Sequence, residues 1–98
     1  MVATRTGAAI RGREGAVAAF RDEGMSSPRF WGNGPGDTYG RHSHGYDKVL
    51  FCLEGSVTFH TDDGDVPLEA GDRLDIDPGT EHSATVGPRG CECVEASR

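Results

Sequence analysis

Three of the four histidines in this chain have a residue type and spacing that could hold a metal ion. His42 and His44 are two residues apart, so on a strand both imidazoles leave the same face. His82 follows about forty residues later, directly after a turn sequence at 77–80. Neutral imidazole is a ligand for Zn, Fe, Ni or Cu. Two such histidines and a third from a neighbouring strand would form three corners of a metal site.

An HxH pair alone is a weak signal, because surface and hydrogen-bonded histidines are commoner than ligands. The elements around the histidines therefore matter, and they read as short strands. Val57 and Phe59 alternate with polar residues, and so do Leu74 and Ile76, which indicates strands with one buried and one wet face. Turn residues separate the segments, and an Asp-Gly pair at 63–64 indicates a hairpin. Seven or eight such strands predict an all-β sandwich or barrel.

The N-terminal part of the chain has a different pattern. Residues 1–13 predict either a frayed arm or an extended edge strand. Residues 14–23 place Val17 and Phe20 on one helical face, and Gly24 suits the end of a short helix. We therefore expect residues 1–27 to form an arm and helix that pack on a barrel formed by residues 28–98, in a single-domain protein.

The order of these pieces resembles the two sequence motifs of the cupin superfamily. The first motif corresponds to Gly40–Lys48, with its HxH pair, followed by the glycine at 55. The second corresponds to a glycine at 71, then Pro78-Gly79 and His82. The resemblance covers about residues 28–96 and implies a small double-sheet jelly-roll barrel whose open mouth holds the site.

Lys48 stands where the family has a glutamate metal ligand. Two smaller departures are Asp77 in place of a proline and Val86 in place of a frequent asparagine. Strand parity puts Lys48 on the face of the histidines, where an ammonium would repel a cation. Four outcomes stay open: Lys48 leans away and pairs with an acid, loses its proton, holds an anionic ligand beside the metal, or lies in a metal-free site.

The resemblance implies one divalent transition metal, Zn, Fe, Ni or Mn, bound by His42, His44 and His82. Three protein ligands leave coordination positions open, which is a catalytic rather than a closed structural layout. A site without a carboxylate is more cationic and favours anionic ligands. Lys48 and Tyr46 are the candidate acid/base or substrate-orienting residues, although Tyr46 could equally be an aromatic covering the rim.

Two main functions are compatible with this sequence. The first is a small metal-dependent enzyme, such as an oxygenase or isomerase, acting on a small polar or anionic metabolite. The second is a non-catalytic ligand-binding or sensor cupin, with or without metal, in which Lys48 replaces the cation. A structural protein with a relict pocket is a third reading, because a fold hosts many activities.

Composition excludes other classes. The formal net charge of -6 makes nucleic acid an unfavourable partner, and the chain has no apolar run long enough to span a membrane. Three cysteines and no visible secretory signal predict reduced thiols in a cytoplasm. A barrel of this size gains from burying apolar surface, so we expect a homodimer.

The alternation of side chains between the two faces of a strand gives three further expectations. Cys52 should point into the barrel with Leu50, and His60 should face solvent. Phe30 and Trp31 should lie on opposite faces, one in the core and the other over the helix or a partner subunit.

Overall fold

Two long antiparallel strands organise the fold of this computed structural model, which describes residues 2–98. Within that range it has seven strands and one helix: β1 (Ala3–Gly7), α1 (Gly12–Asp22), β2 (Arg29–Asn33), β3 (Thr38–His42), β4 (Lys48–Thr61), β5 (Gly64–Glu69), β6 (Asp72–Ile76) and β7 (His82–Ser97). The expected number of strands is right. Their lengths differ from the prediction. β4 is one continuous strand where the sequence predicted two short ones, and the same is true of β7.

All strand pairs are antiparallel, and the sheet runs β1-β6-β4-β7-β2, with β3 also on β7 and β5 also on β4. The first part of β4 pairs with β6 and the last part of β7, whereas the second part pairs with β5 and the first part of β7. The two long strands thus belong to both halves of a jelly-roll barrel. This confirms the all-β fold class with one short N-terminal helix.

The bend in β4 lies at Gly55, where the register with β7 shifts on both sides of the glycine. Gly55 has a φ of 70°, in the region that L side chains rarely adopt. A Cβ at this position would overlap the carbonyl oxygen of Gly90 on β7. Glycine therefore allows the backbone to turn from one half of the barrel to the other, as a β-bulge does.

The first part of β4 is buried on both faces because the barrel lies on one side and α1 on the other. Leu50 and Cys52 join the barrel interior, as parity predicted, together with the alternating side chains of β5, β6 and β7. Val49 and Phe51 face the other way. They pack in a second cluster with Phe20 of the helix, whose ring centroid lies 5.1 Å from that of Phe51.

α1 ends at Asp22, and Gly24 terminates it as the sequence predicted. The N–H of Gly24 donates to the carbonyl of Arg21, and the N–H of Met25 donates to the carbonyl of Phe20. This is the Schellman arrangement, and Gly24 takes the positive φ that it needs. Met25 follows into the cluster under the helix, so the cap also directs the chain back to the barrel.

Arg73 connects the helix to the sheet through ion pairs. Its guanidinium bonds both carboxylate oxygens of Glu23 at the helix end and also Asp75 on its own strand. It also lies over the ring of Phe51. The side chain is only 16% exposed, so the ion pairs are partly shielded from solvent.

The N-terminal segment is an edge strand rather than a frayed arm, because β1 pairs along its length with β6. The division of the chain at residue 28 stays a prediction, as do the homodimer and the cytoplasmic location. No helix among residues 2–98 combines the length and apolar character needed to cross a membrane.

Candidate functional site

The three predicted histidines meet at one end of the barrel. His42 is the last residue of β3, and His82 is the first residue of β7, where the two are direct cross-strand partners. His44 lies in the loop after β3. The N–H of Gly79 donates to the carbonyl of His44 at 2.7 Å, so the turn before β7 holds that loop in place.

Each of these histidines offers a ring nitrogen to a common point, and the three ligand atoms lie within 4.8 Å of one another. The ring centroids of His42 and His82 are 4.3 Å apart, and those of His44 and His82 are 5.3 Å apart. His82 is buried, His44 is half-buried and His42 is exposed, so the group forms a site with one open side.

Hydrogen bonds leave Nε2 of the histidines free to bind a metal. Nδ1 of His82 donates to the carbonyl of Thr80 at 2.9 Å, and Nδ1 of His42 donates to that of Gly40 at 2.7 Å. A carbonyl oxygen only accepts, so each Nδ1 carries the proton and each Nε2 has a lone pair. Across residues 2–98, the buried side-chain polar atoms without a hydrogen-bond partner are Nε2 of His44 and Nε2 of His82.

These unpartnered atoms fit a metal ion. A buried polar atom without a partner is costly, and a divalent cation would satisfy both nitrogens. Burial lowers the pKa of His82 and, together with the nearby Lys48 charge, lowers the pKa of His44. The neutral imidazole that binds metals is therefore the favoured form at neutral pH. The carbonyl partners of Nδ1 would orient the rings as outer-sphere partners do in metal sites.

Lys48 lies beside the histidines, and it pairs with an acid. Its Nζ is 3.0 Å from Oε1 of Glu95, and the two side chains are 9% and 17% exposed. The structure shows the pairing with an acid that the first of the four outcomes includes, but Lys48 does not lean away, because it still lines the cavity with His42. That carboxylate comes from β7, and the same oxygen accepts a hydrogen bond from Nε1 of Trp31 at 2.8 Å.

Glu95 is the site residue that sequence reasoning missed. Its position in the last strand carries no motif, and eleven acids in the second half of the chain look alike in sequence. Only the register of β4 with β7, which makes Leu50 the partner of Glu95, brings this carboxylate to Lys48. The available signal was that Glu95 lies two residues after Cys93 on the same strand and so shares its face, which is the barrel interior.

Tyr46 lies at the rim and is 42% exposed. Its hydroxyl is 3.3 Å from Nδ1 of His44, and their ring centroids are 5.1 Å apart. Tyr46 therefore contacts the histidine on the side away from the free Nε2. It can orient the imidazole and shield it, whereas its role as an acid or base stays a prediction.

A cavity of about 260 Å³ extends from His42 into the barrel between the two halves of the sheet. Its charged lining residues are Lys48 and Glu95, which neutralise each other, and Arg29 at the start of β2. The remaining walls are apolar. The histidine cluster and the cavity thus share His42, and a molecule in the cavity would lie next to the open side of that cluster.

The other polar residues singled out by sequence lie elsewhere. His60 is on the other side of its strand, where it bonds Asp65 at 2.7 Å and Thr85 at 2.9 Å, and its side chain is 38% exposed. Cys52 and Cys93 are buried cross-strand partners inside the barrel. Burial and the neighbouring thiols raise the pKa of Cys93, so it stays a packed thiol.

Phe30 and Trp31 lie on opposite faces as predicted. Trp31 packs against the barrel core, with its ring 5.3 Å from that of Tyr39 in an edge-to-face arrangement. Phe30 is 40% exposed and lies under the guanidinium of Arg13 in the helix, at 5.0 Å from the ring centroid.

Comparisons with known proteins agree with this architecture. A protein of the DUF861 family from Thermotoga maritima has a TM-score of 0.69 at 14% identity, covering 99% of this chain and 100% of that one. A conserved protein with a double-stranded β-helix domain from Klebsiella pneumoniae has a TM-score of 0.64 at 25% identity, covering 71% of this chain and 64% of that one.

In sequence, the chain is 40% identical over 50 residues to a Thermotoga maritima protein named oxalate-binding protein. The matched segment is 50% of this chain but only 41% of that relative. The model of the cupin domain family matches residues 30–94, which contain the histidine cluster, Lys48 and the cavity lining except Arg29 and Glu95. The jelly-roll barrel and this match together place the chain in the cupin family.

Proposed function

We propose that this protein is a metal-dependent cupin that binds a small anionic metabolite at a three-histidine centre. His42, His44 and His82 hold one divalent transition metal, of the set Zn, Fe, Ni or Mn. The metabolite occupies the cavity beside His42. This proposal extends the family assignment by naming the metal, its ligands and the charge of the small molecule.

The observation that carries the proposal is the pair of buried Nε2 atoms, on His44 and His82, that lack a hydrogen-bond partner within residues 2–98. A structural histidine cluster would pair these atoms with donors or expose them to water. Here Nδ1 of His82 donates to the Thr80 carbonyl, Nδ1 of His44 contacts the Tyr46 hydroxyl, and the free nitrogens converge with that of His42. Such preorganisation suits coordination.

A metal with three imidazole ligands and open positions supplies Lewis-acid chemistry to a molecule bound beside it. The histidines add no negative charge, so the loaded centre carries the full charge of the cation. That charge favours an anionic ligand. The name of the matched relative, an oxalate-binding protein, supports an anion as well, although the match spans about two fifths of that relative.

Lys48, Glu95 and Tyr46 support the centre. The Glu95 carboxylate offsets the Lys48 ammonium, so the lysine can lie near the cation without its full repulsion. Of the three N–H donors of Lys48, one faces Glu95 and the other two remain for an anion in the cavity. Tyr46 orients His44 from the rim. These contacts make Lys48 the candidate acid/base group and Tyr46 the candidate positioning group.

A second candidate function is binding without turnover, as in a sensor or carrier. The word "binding" in the name of the matched relative favours it. The metal-free form of this alternative, with Lys48 in place of the cation, is weakened by Glu95, because the lysine charge is already neutralised. Return of the ligand unchanged after saturable binding would support the second candidate, and product formation would support an enzyme.

The test is metal content per chain after reconstitution with zinc and removal of excess ion. We expect about one zinc per chain in the wild type and a loss of at least about tenfold in affinity for His82→Ala. His60→Ala removes a histidine outside the cluster and should keep full occupancy. Equal metal content in His82→Ala and the wild type, or no binding by the wild type, would overturn the proposal.

A further inference from the structure

The cavity beside His42 is lined by two chemically different sets of residues. Lys48, Glu95 and Arg29 are charged. The other set presents aromatic rings and a methyl group, from Trp31, Tyr39, Phe59 and Ala84. A cavity lined in this way favours a ligand with a polar head and an apolar body.

The four apolar lining residues form one packed wall, because contacts with each other or with neighbouring strands fix their side chains. The rings of Trp31 and Tyr39 meet edge to face at 5.3 Å, and Phe59 and Ala84 are buried cross-strand partners of β4 and β7. The Trp31 indole is fixed further because its N–H donates to Glu95. A small dianion without an apolar body would leave this wall in contact with water.

Among the charged lining residues, Arg29 carries the positive charge that no carboxylate within residues 2–98 neutralises. The Lys48 charge is neutralised by Glu95 at 3.0 Å. Arg29 is exposed, lines the cavity and forms no ion pair within the part of the chain that the structure describes. A guanidinium binds a carboxylate through two parallel hydrogen bonds, so it suits a carboxylate head.

From these contacts we infer that the cavity takes a small monocarboxylate with a compact, ring-sized apolar body. The carboxylate lies on the side of Arg29 and the open face of the histidine cluster. The body packs against the wall formed by Trp31, Tyr39, Phe59 and Ala84. This inference rests on the proposed function, since it names the ligand class of the same site.

Benzoate, acetate, benzamide and oxalate test the inference on the zinc-loaded chain. Acetate has the head without the body, and benzamide has the body without the charge. Trp31 is the one tryptophan in the sequence, so its fluorescence reports directly on the cavity wall, and calorimetry gives the affinity. We expect benzoate to bind at least about tenfold more tightly than acetate or benzamide, because burying a ring adds the hydrophobic gain that acetate lacks.

Two variants distinguish recognition of the carboxylate from recognition of the apolar ring. Ala84→Leu fills the wall and should weaken benzoate at least about tenfold while acetate stays within about twofold. Arg29→Gln should weaken both carboxylates and leave benzamide unchanged. Arg29 is exposed on an edge strand, so this variant should fold even if the first does not. Arg89→Gln is the matched control, because Arg89 is exposed and lies outside the cavity lining.

Equal affinities for benzoate and acetate in the wild type would overturn the inference. If oxalate nevertheless binds the zinc-loaded chain, the proposed function stands and only the ligand class is wrong. If zinc itself fails to bind, the proposed function fails before any ligand is added. The two failures are therefore distinguishable.

Discussion

Lys48 and Glu95 form an ion pair of 3.0 Å inside the barrel, next to the three histidines. The cupin resemblance places a glutamate ligand at position 48, and here the carboxylate comes instead from the last strand. Because Glu95 also accepts a hydrogen bond from Trp31, it connects Lys48 to the apolar wall of the cavity. A cationic residue at position 48 is thus compatible with a neighbouring metal.

The first prediction concerns this ion pair. Glu95→Gln should lower the free energy of unfolding by about 3–5 kcal/mol, because it leaves the buried Lys48 ammonium without a carboxylate. The amide oxygen can still accept the Trp31 hydrogen bond, so the loss reports on charge. Urea unfolding followed by circular dichroism measures it. The double variant Lys48→Met/Glu95→Gln should recover most of the lost stability. A loss of less than about 1 kcal/mol in the free energy of unfolding of Glu95→Gln would contradict the prediction.

The second prediction restores the family's carboxylate. Lys48→Glu should lower the midpoint of thermal unfolding of the metal-free protein, because the new carboxylate faces Glu95. It should also tighten zinc binding at least about tenfold, because the ammonium is replaced by an anionic ligand. Lys48→Met is the matched control and should give an intermediate affinity. Weaker zinc binding by Lys48→Glu than by the wild type would rule out Lys48 as a neighbour of the metal.

The third prediction concerns the bend in β4. Gly55→Ala should cost at least about 2 kcal/mol of stability, because the methyl group meets the Gly90 carbonyl and the backbone has a positive φ. Gly45→Ala has open space around its Cβ and should change stability by less than about 1 kcal/mol. Chemical denaturation of both variants makes the comparison. Similar stabilities would show that the bulge does not require glycine.

The fourth prediction is a pH dependence. The hydrogen bond from Arg73 holds the pKa of Glu23 below its ordinary value of 4.5. Between the folded pKa and 4.5, the unfolded chain therefore binds more protons at Glu23 than the folded chain does. The stability that the Arg73–Glu23 pair contributes is full above pH 4.5 and is lost as the pH falls from 4.5 toward the folded pKa. Glu23→Gln should flatten stability against pH below that value. Glu69→Gln, at an exposed position, should keep the wild-type slope, and a wild-type slope in Glu23→Gln would contradict the account.

Sequence patterns predicted the histidine cluster and the fold because both depend on local rules. The close spacing of His42 and His44 keeps both at the end of β3, although His44 lies in the loop, and the turn before His82 sets the start of β7. Alternation likewise predicted that Leu50 and Cys52 face the barrel interior. The motif order then joined these local elements into a cupin barrel.

What sequence could not predict depends on the pairing of distant strands. Glu95 reaches Lys48 only through the register between β4 and β7, and Arg73 reaches Glu23 only because the helix packs across the sheet. The continuity of β4 also escaped prediction, because Glu54-Gly55 reads as a turn although the strand passes through it. Long-range register has no local signature.

The most direct test of the central claim is X-ray absorption at the zinc edge of the stoichiometric zinc complex. The account predicts three imidazole ligands with zinc–nitrogen distances of about 2.0–2.1 Å, and one fewer imidazole in any zinc retained by His82→Ala. His60→Ala should give the wild-type spectrum, since His60 lies outside the cluster. A spectrum dominated by sulfur or by carboxylate oxygen, without the imidazole signature, would contradict the three-histidine centre.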